Sequence, residues 1–412
     1  MAENYFVELP IPFIGVWIND LETIHKLYFN NASEMGSIDS HSIALVVTSP
    51  PYPMIEMWDE LFVQHNKAIR SALDAGRGMN AFELMHQFLD PVWREVYRVL
   101  VPGGIACINI GDATRTLGNE FILYPNHARI LNATVKIGFS PLPEILWRKQ
   151  TNAPNKFMGS GMMPPGAYVT LEHEHILILR KGAKREFHRD SDKQNRRESA
   201  FFWEERNLWF SDVWMDLKGT TQKLNDPNAR LRSAAYPFEV PYRLINMFSV
   251  KGDVVLDPFL GTGATTAAAI AAGRNSVGFE LIPDFLPLIL SRLDTLITFS
   301  NQRIENRLTA HLDFIRNRIE TRGSLKHRNV PYGFPVVTNQ ETLLLINAPR
   351  SLQMVNDTTI GITYDDKPQA AFAGNFENPA PCSPDSEDRA EGRNIKTAKP
   401  SLPKQQKFLK RG

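Results

Sequence analysis

The sequence predicts a doubly wound α/β protein built on a Rossmann-like parallel sheet. Three observations carry that prediction. One short apolar run ends at Ser49-Pro50-Pro51-Tyr52. A second ends in the glycine-rich turn Asp257-Pro258-Phe259-Leu260-Gly261-Thr262-Gly263. Between them, helical stripes alternate with strand-like runs. Such alternation builds parallel sheets that bind ligands beyond the carboxyl ends of their strands. The 412 residues allow a large core and two or three domains. With 43% hydrophobic and 22% charged residues, the composition excludes a wholly disordered chain or a collagen-like fibre. Two cysteines, Cys107 and Cys382, are too few for a disulfide framework or a Cys-rich zinc site. No run of about 18 uncharged apolar residues could span a membrane. Met1-Ala2-Glu3-Asn4 lacks the basic start of a secretory signal, so a cytoplasmic location is expected.

Each element follows in order. Ser42 to Thr48 reads as a buried strand, stopped by prolines that continue neither a ladder nor a helix. Phe82 to Leu100 carries a helical stripe, with a bend or break expected at Pro91 and a stop at Pro102-Gly103-Gly104. Ile105 to Ile110, Phe139 to Arg148 and Tyr168 to Leu179 read as strands. From Arg180 to about Ser233, cations including Lys181, Lys184, Arg185, Arg189, Arg196 and Arg197 outnumber acids. Phe201, Phe202, Trp203, Trp209, Phe210 and Trp214 follow. That composition suits either a polyanion surface or a small subdomain with a solvated basic face. Val254 to Leu256 is a strand and Ala264 to Ala272 a small-residue helix capped by Gly273. Ser276 to Phe279 is the next strand, ending at Glu280. Ile282 to Ile319 holds one or two helices, and Val330 to Asp365 has strand-like runs. Beyond Asp366 the chain is polar, Pro-rich and basic at its end, which predicts a disordered tail.

Two motifs carry chemistry. In Ser49-Pro50-Pro51-Tyr52 the prolines fix the backbone and remove two N–H donors. A rigid set of acceptors remains beside an aromatic ring. The Ser49 hydroxyl and the Pro50 carbonyl can take the two hydrogens of a planar amine while Tyr52 stacks on its ring. Accepting both hydrogens frees a lone pair otherwise delocalised into that ring. In the glycine-rich turn, a P-loop would need Lys where Ala264 stands, and a dinucleotide fingerprint would need glycine where Thr266 stands. A nucleoside without phosphates needs neither. Glu280, ending the next strand, is placed to accept from ribose hydroxyls.

Together these motifs resemble the amino-methyltransferases of DNA, which transfer a methyl group from S-adenosyl-L-methionine to cytosine N4 or adenine N6. The order, with the catalytic loop first, is similar to the β group of that family. Trp93 to Gly104, Glu174 to Lys181 and Ala235 to Pro241 resemble further family segments, although Ser233 stands where a histidine is common. The resemblance implies catalytic roles for Ser49, Pro50, Pro51 and Tyr52. It implies cofactor contacts from Asp257, Pro258, Phe259, Gly261, Gly263, Thr265, Glu280, Phe238 and Asp20. It also implies phosphate contacts from Lys181, Lys184, Arg185, Arg189, Arg196 and Arg197 to double-stranded DNA. The implied layout is a catalytic half (1–180), a target-recognition region (181–232) and a cofactor half (233–300). An accessory region (301–365) and a basic tail (366–412) follow. Ser before Pro-Pro-Tyr is mostly found in cytosine-N4 enzymes and Asp or Asn in adenine-N6 enzymes, so cytosine N4 is expected. The base would be flipped out of the duplex, and transfer would be direct, needing neither a covalent intermediate nor a metal.

Other features compete for attention. In Glu172-His173-Glu174-His175 a strand would place both histidines on one face, without an evident third ligand, so no metal is expected. Pro381-Cys382 resembles the nucleophile dipeptide of cytosine-C5 methyltransferases but follows no strand. Rival functions are N-methylation of RNA, protein or small molecules, which usually reverses the motif order, and NAD-dependent oxidoreduction, which Thr266 disfavours. A non-catalytic DNA-binding protein with a degenerate cofactor site is a third. By family analogy the setting is restriction–modification, and an unaccompanied regulatory methyltransferase fits the sequence equally. No nuclease motif is evident, so a cognate restriction endonuclease would be a separate protein.

Overall fold

The computed structural model describes residues 21–149, 158–217, 236–374 and 376. All belong to one compact unit, Met1–Glu377. Its centre is a ten-stranded sheet. The strands are β1 (Glu22–Tyr28), β2 (Ile43–Thr48), β3 (Leu100–Ile110), β4 (Phe139–Arg148), β5 (His173–Lys181), β6 (Val213–Trp214), β7 (Val254–Asp257), β8 (Asn275–Phe279), β9 (Pro349–Asn356) and β10 (Thr359–Tyr364). Their order is β6-β4-β5-β3-β2-β7-β8-β1-β10-β9. The stretch β3-β2-β7-β8-β1 is parallel, and β5 and β10 flank it antiparallel. The predicted fold class therefore holds. β2 and β7 lie far apart in sequence yet pair directly, Leu45 with Val255 and Val46 with Leu256. Both are buried throughout, as expected for strands covered by helices on both faces.

Helices α1 (Asp59–His65), α2 (Lys67–Asp74), α3 (Gly78–Val99) and α4 (Asn126–Ile137) precede β4. Then come α5 (Asp190–Glu198), α6 (Trp203–Trp209), α7 (Glu239–Phe248), α8 (Ala264–Ala271), α9 (Leu286–Leu293) and α10 (Leu296–Arg322). On one face α3 packs Phe82, Met85, Leu89, Trp93 and Val96 against the sheet. On the other, α7 and α8 pack Val240, Ile245, Ala268 and Ala269. α8 can lie close to the sheet because most of its residues are alanine or threonine.

Several expectations change. α3 runs unbroken through Pro91, which is half-buried at the helix surface. The strand expected from Tyr168 begins at His173. Ile282 to Ile319, read as one or two helices, holds two as allowed, and the second, α10, runs on to Arg322. β1 escaped prediction because two of its three inward residues are polar. Thr23 and His25 bond each other at 2.9 Å, and His25 Nδ1 meets Ser276 Oγ at 2.8 Å. Burial lowers the His25 pKa to about 3, so the ring stays neutral. The strand-like runs after Val330 include a hairpin, β9–β10, that joins the main sheet beside β1 with Ile360, Ile362 and Tyr364 buried. The expected tail lies outside the described residues, apart from 366–374 and 376.

Candidate active site

The carboxyl ends of β2 and β7 open into one cavity of about 390 Å³. Ser49, Pro50 and Pro51 line it from the β2 loop, and Asp257 to Thr262 from the β7 loop. Glu280 lines it from the end of β8, and Asn30, Asn31, Trp58 and Phe88 close its sides. Adjacent parallel strands thus bring together two motifs that the sequence separates by some two hundred residues.

Asp257 joins the two loops and is only 3% exposed. Its Oδ1 accepts from Thr48 Oγ1 at 2.6 Å and from the Phe259 N–H at 3.0 Å. Its Oδ2 accepts from Thr265 Oγ1 at 2.6 Å. Thr265 in turn pairs with the Tyr236 hydroxyl at 2.5 Å. Burial raises the Asp257 pKa, and the four donors around it oppose that rise. Glu280 is fixed similarly: Oε2 accepts from Gly261 N–H at 2.8 Å and Oε1 from Ile282 N–H at 2.9 Å. Burial raises its pKa too. Gly261 has φ +53°, and a side chain there would meet no other part of the protein closer than 4.0 Å. A ligand can therefore approach that backbone. Thr262 is fully buried, lines the cavity, and its hydroxyl has no partner among the described residues. A buried hydroxyl without a partner is costly unless a ligand supplies one.

Beside the cavity, the catalytic loop ends in a directed hydrogen-bond chain. Glu174 Oε2 accepts from the Tyr52 hydroxyl at 2.9 Å and from Asn109 Nδ2 at 2.7 Å. Its Oε1 accepts from Lys149 Nζ at 2.8 Å. A phenol has one proton, and the carboxylate takes it. The Tyr52 oxygen is then an acceptor toward Asn109 Nδ2 at 2.9 Å and Ser49 Oγ at 3.1 Å. Ser49 therefore donates to Tyr52, and its oxygen, which also accepts from Asn109 Nδ2 at 3.5 Å, keeps acceptor capacity beside the cavity it lines. Burial and the Glu174 charge raise the Tyr52 pKa well above the ordinary phenol value. The Tyr52 ring packs against Gly111, where a Cβ would stand 3.0 Å from it.

The structure gathers Ser49, Pro50, Pro51, Asp257, Pro258, Phe259, Gly261 and Glu280 around the cavity, with Tyr52 adjoining. Other expected cofactor residues stand elsewhere. Thr265 faces Asp257 rather than the cavity. Gly263 starts α8 with φ +79° against Ile289. Phe238 stacks on Tyr242 and packs edge-on against Phe299, and Tyr236 lines the cavity instead. Asp20 lies outside the described residues. Asn30, Asn31, Asn109, Lys149, Glu174 and Thr262 were not singled out from sequence. Only Thr262 and Glu174 sit in quoted motifs that could have pointed to them.

The basic segment needs a larger correction. It leaves β5 at Lys181, and the end of antiparallel β5 lies at the amino-end rim of the parallel strands, opposite the cavity. Lys181 is buried, and its ammonium donates to the carbonyls of Tyr97 and Leu100 at the end of α3, so it is not a phosphate contact. Arg185 is held by both Asp253 oxygens at 2.6 and 2.8 Å. Lys184, Arg196 and Arg197 are exposed on that far rim, and Arg189 is exposed at the start of α5. Among the described residues, the hairpin Ala113–Tyr124, which follows the carboxyl end of β3, and the 158–172 segment, which precedes β5, stand at the catalytic end. Residues 218–232 lie outside the described residues.

His175 does gain neighbours with metal-ligand atoms, Asp112 and His127, all within 4.8 Å. Asp112 already bonds His127 Nδ1 at 2.8 Å. The two imidazoles stack at 3.8 Å and 9°. Parallel rings aim their lone pairs in parallel, so they do not converge on one ion. Cys107 is buried in β3 among apolar side chains, and Cys382 is outside the described residues.

A family profile described as DNA methylase, of the N6/N4 type, matches residues 43–291. The chain is 50% identical over 347 residues to the type II methyltransferase M.MthZI of Methanothermobacter thermautotrophicus, covering 84% of this chain and 96% of that protein. It is 51% identical over 285 residues to the type II methyltransferase M.MjaI of Methanocaldococcus jannaschii, covering 66% of this chain and 92% of that one. Among solved structures it is similar to TTHA0409 of Thermus thermophilus, assigned as a DNA modification methylase and solved with S-adenosyl-L-methionine. That likeness has a TM-score of 0.52 and 33% identity over 66% of this chain and 94% of that one.

Proposed function

The chain belongs to the N6/N4 family of DNA methylases, and from that premise we propose that it methylates the N4 amino group of a flipped-out cytosine in double-stranded DNA. The observation that carries the reading is the shared cavity: Ser49 and Pro50 stand on one side of it, the glycine-rich loop and Glu280 on the other. S-Adenosyl-L-methionine, when bound, supplies an electrophilic methyl group on a sulfonium. Glu280 would take the ribose hydroxyls, and the Gly261 backbone lets the nucleoside approach. The orphaned Thr262 hydroxyl, just ahead of α8, would hold a polar group of the methionine end.

The chain's own residues prepare the amine. Glu174 accepts the Tyr52 O–H, and Tyr52 in turn accepts the Ser49 O–H. Ser49 Oγ and the Pro50 carbonyl then accept the two amine hydrogens, which turns the nitrogen lone pair out of conjugation. Tyr52 supplies a ring face for the base. Positioning of this kind carries most of the rate in a direct transfer. Ser rather than Asp or Asn ahead of Pro-Pro-Tyr supports cytosine over adenine. Residues 1–180 and 233–300 would form the two halves of the methyltransferase domain. Base-sequence reading would fall to the hairpin Ala113–Tyr124 and the 158–172 loop, where Met162 and Val169 are 85% and 86% exposed. Likeness to type II methyltransferases supports a restriction–modification setting, with the endonuclease a separate protein.

Nucleoside mass spectrometry tests the proposal. Unmethylated genomic DNA is incubated with the protein and S-adenosylmethionine, then digested. N4-methylcytosine is expected. N6-methyladenine would overturn the base assignment and keep the family chemistry. Tight cofactor binding without a methylated base would count against DNA as substrate. A chain that binds no cofactor would be the non-catalytic DNA-binding protein.

A further inference from the structure

A second cavity, of about 1030 Å³, is larger than the catalytic one and lies at the opposite rim of the sheet. Ala44 at the start of β2 and Val250 ahead of β7 line it. Ser49 and Asp257, at the other ends of the same strands, line the catalytic cavity. A six-residue strand at about 3.3 Å per residue sets the two sites roughly 17 Å apart. Seven lysines and arginines line the groove against one acid, Glu341. That acid is 1% exposed, and the backbone N–H groups of Trp203 and Thr338 occupy its carboxylate. Asp253 balances Arg185, and Asp190 balances Lys193. No carboxylate among the described residues pairs with Lys184, Arg196, Arg197 or Arg206, all of them exposed. Phe187, Phe201 and Trp203 form apolar walls, and the Arg196 guanidinium lies 5.1 Å over the Phe187 ring.

We infer that this groove is a second nucleic-acid site, which takes the phosphodiester backbone of a segment other than the one at the catalytic cavity. A single phosphate would need one focused cradle. Here several cations are spread along an open groove, which fits the run of phosphates along a duplex backbone. The segment from Lys184 to Ser199 is held on this rim by specific contacts. Gly103, with φ +81°, has no side chain because the Arg185 backbone passes where a Cβ would stand. Asn195 Nδ2 also donates to the Lys251 carbonyl at 2.9 Å. The inference goes beyond the catalytic reading and does not depend on which base is methylated.

The test is native mass spectrometry of the full chain with a short duplex that is too short to reach both rims. Two duplexes per protein monomer are expected. The triple variant Arg196→Ala/Arg197→Ala/Arg206→Ala should bind one, or bind the second at least tenfold more weakly, with the salt slope of that step lower by about three. Lys184→Glu, a single reversal at an exposed loop position, should weaken the same step and guards against a folding defect in the triple variant. A wild-type chain that saturates at one duplex would overturn the inference. So would variants that keep the second duplex at unchanged affinity, or a groove that takes polyglutamate but no second duplex. Methyl transfer to a single duplex is read separately, so failure here and failure of the catalytic reading look different.

Discussion

A single proton sets the chemistry at the residue scale. Tyr52 donates it to Glu174, so Ser49 must donate its own to Tyr52 and keeps only its lone pairs for an incoming amine. Glu174→Gln brings an amide donor into that position and scrambles the direction of the chain. Turnover should fall about a hundredfold, the loss typical of a misaligned reacting group, while the S-adenosylmethionine dissociation constant in calorimetry stays the same. An equal loss of cofactor affinity would sink the relay. Tyr52→Ala should likewise cut transfer strongly and spare cofactor binding. Glu280 carries a pH prediction. Burial raises its pKa above the ordinary 4.5, and it must be ionised to accept from two hydroxyls. Cofactor affinity should therefore weaken as pH falls, with a midpoint above 4.5, and the profile should flatten in Glu280→Gln.

Strand ends decide the next scale up. Asp257 closes β7, yet its oxygens hold Thr48 of β2 and Thr265 of α8, so one carboxylate locks the catalytic loop to the cofactor loop. Asp257→Ala leaves those hydroxyls and the Phe259 N–H without their acceptor. It should cost about 1–3 kcal/mol in chemical unfolding as well as weakening cofactor binding. The turn before β7 holds a second buried charge. Lys251 is 6% exposed, its ammonium has no partner among the described residues, and burial lowers its pKa to about 7. The folded state thus binds its proton less tightly than the unfolded chain, whose lysine titrates near 10.5. The penalty is complete below about pH 7 and disappears above 10.5. Lys251→Met should raise the melting temperature at pH 7, and the gain should shrink toward pH 10. A gain that is constant with pH would mean the charge is not its source.

Across the whole molecule, β1 depends on sequence from the far end of the chain. β10 covers its edge with Ile360, Ile362 and Tyr364, and the Tyr364 hydroxyl donates to the Ile270 carbonyl of α8 at 2.8 Å. An uncovered edge strand beside an apolar face invites aggregation. A chain ending at residue 348 should therefore be poorly soluble and lose cofactor binding, because β1 leads into the Asn30–Asn31 wall of the cavity. A soluble, cofactor-binding truncation would show the hairpin to be dispensable.

The sequence alone determined whatever rests on local chemistry. Pro50 and Pro51 stiffen one loop, the glycines open another, and the fully apolar β2 and β7 announce a covered parallel sheet. These features are legible because each is written in neighbouring residues. Others were not. β1 hides behind inward Thr23 and His25, which become acceptable only when Ser276 on β8 arrives to bond the ring. Glu174 sits between two histidines in sequence, and its partners Tyr52, Asn109 and Lys149 come from three other segments. The basic run read as a target-recognition region with phosphate contacts, but β5 is antiparallel and delivers its start to the rim opposite the cavity. Composition fixes the charge of a segment, whereas the direction of the preceding strand fixes where that charge stands. That direction is set by pairing across the sheet, and only the tertiary structure decides it.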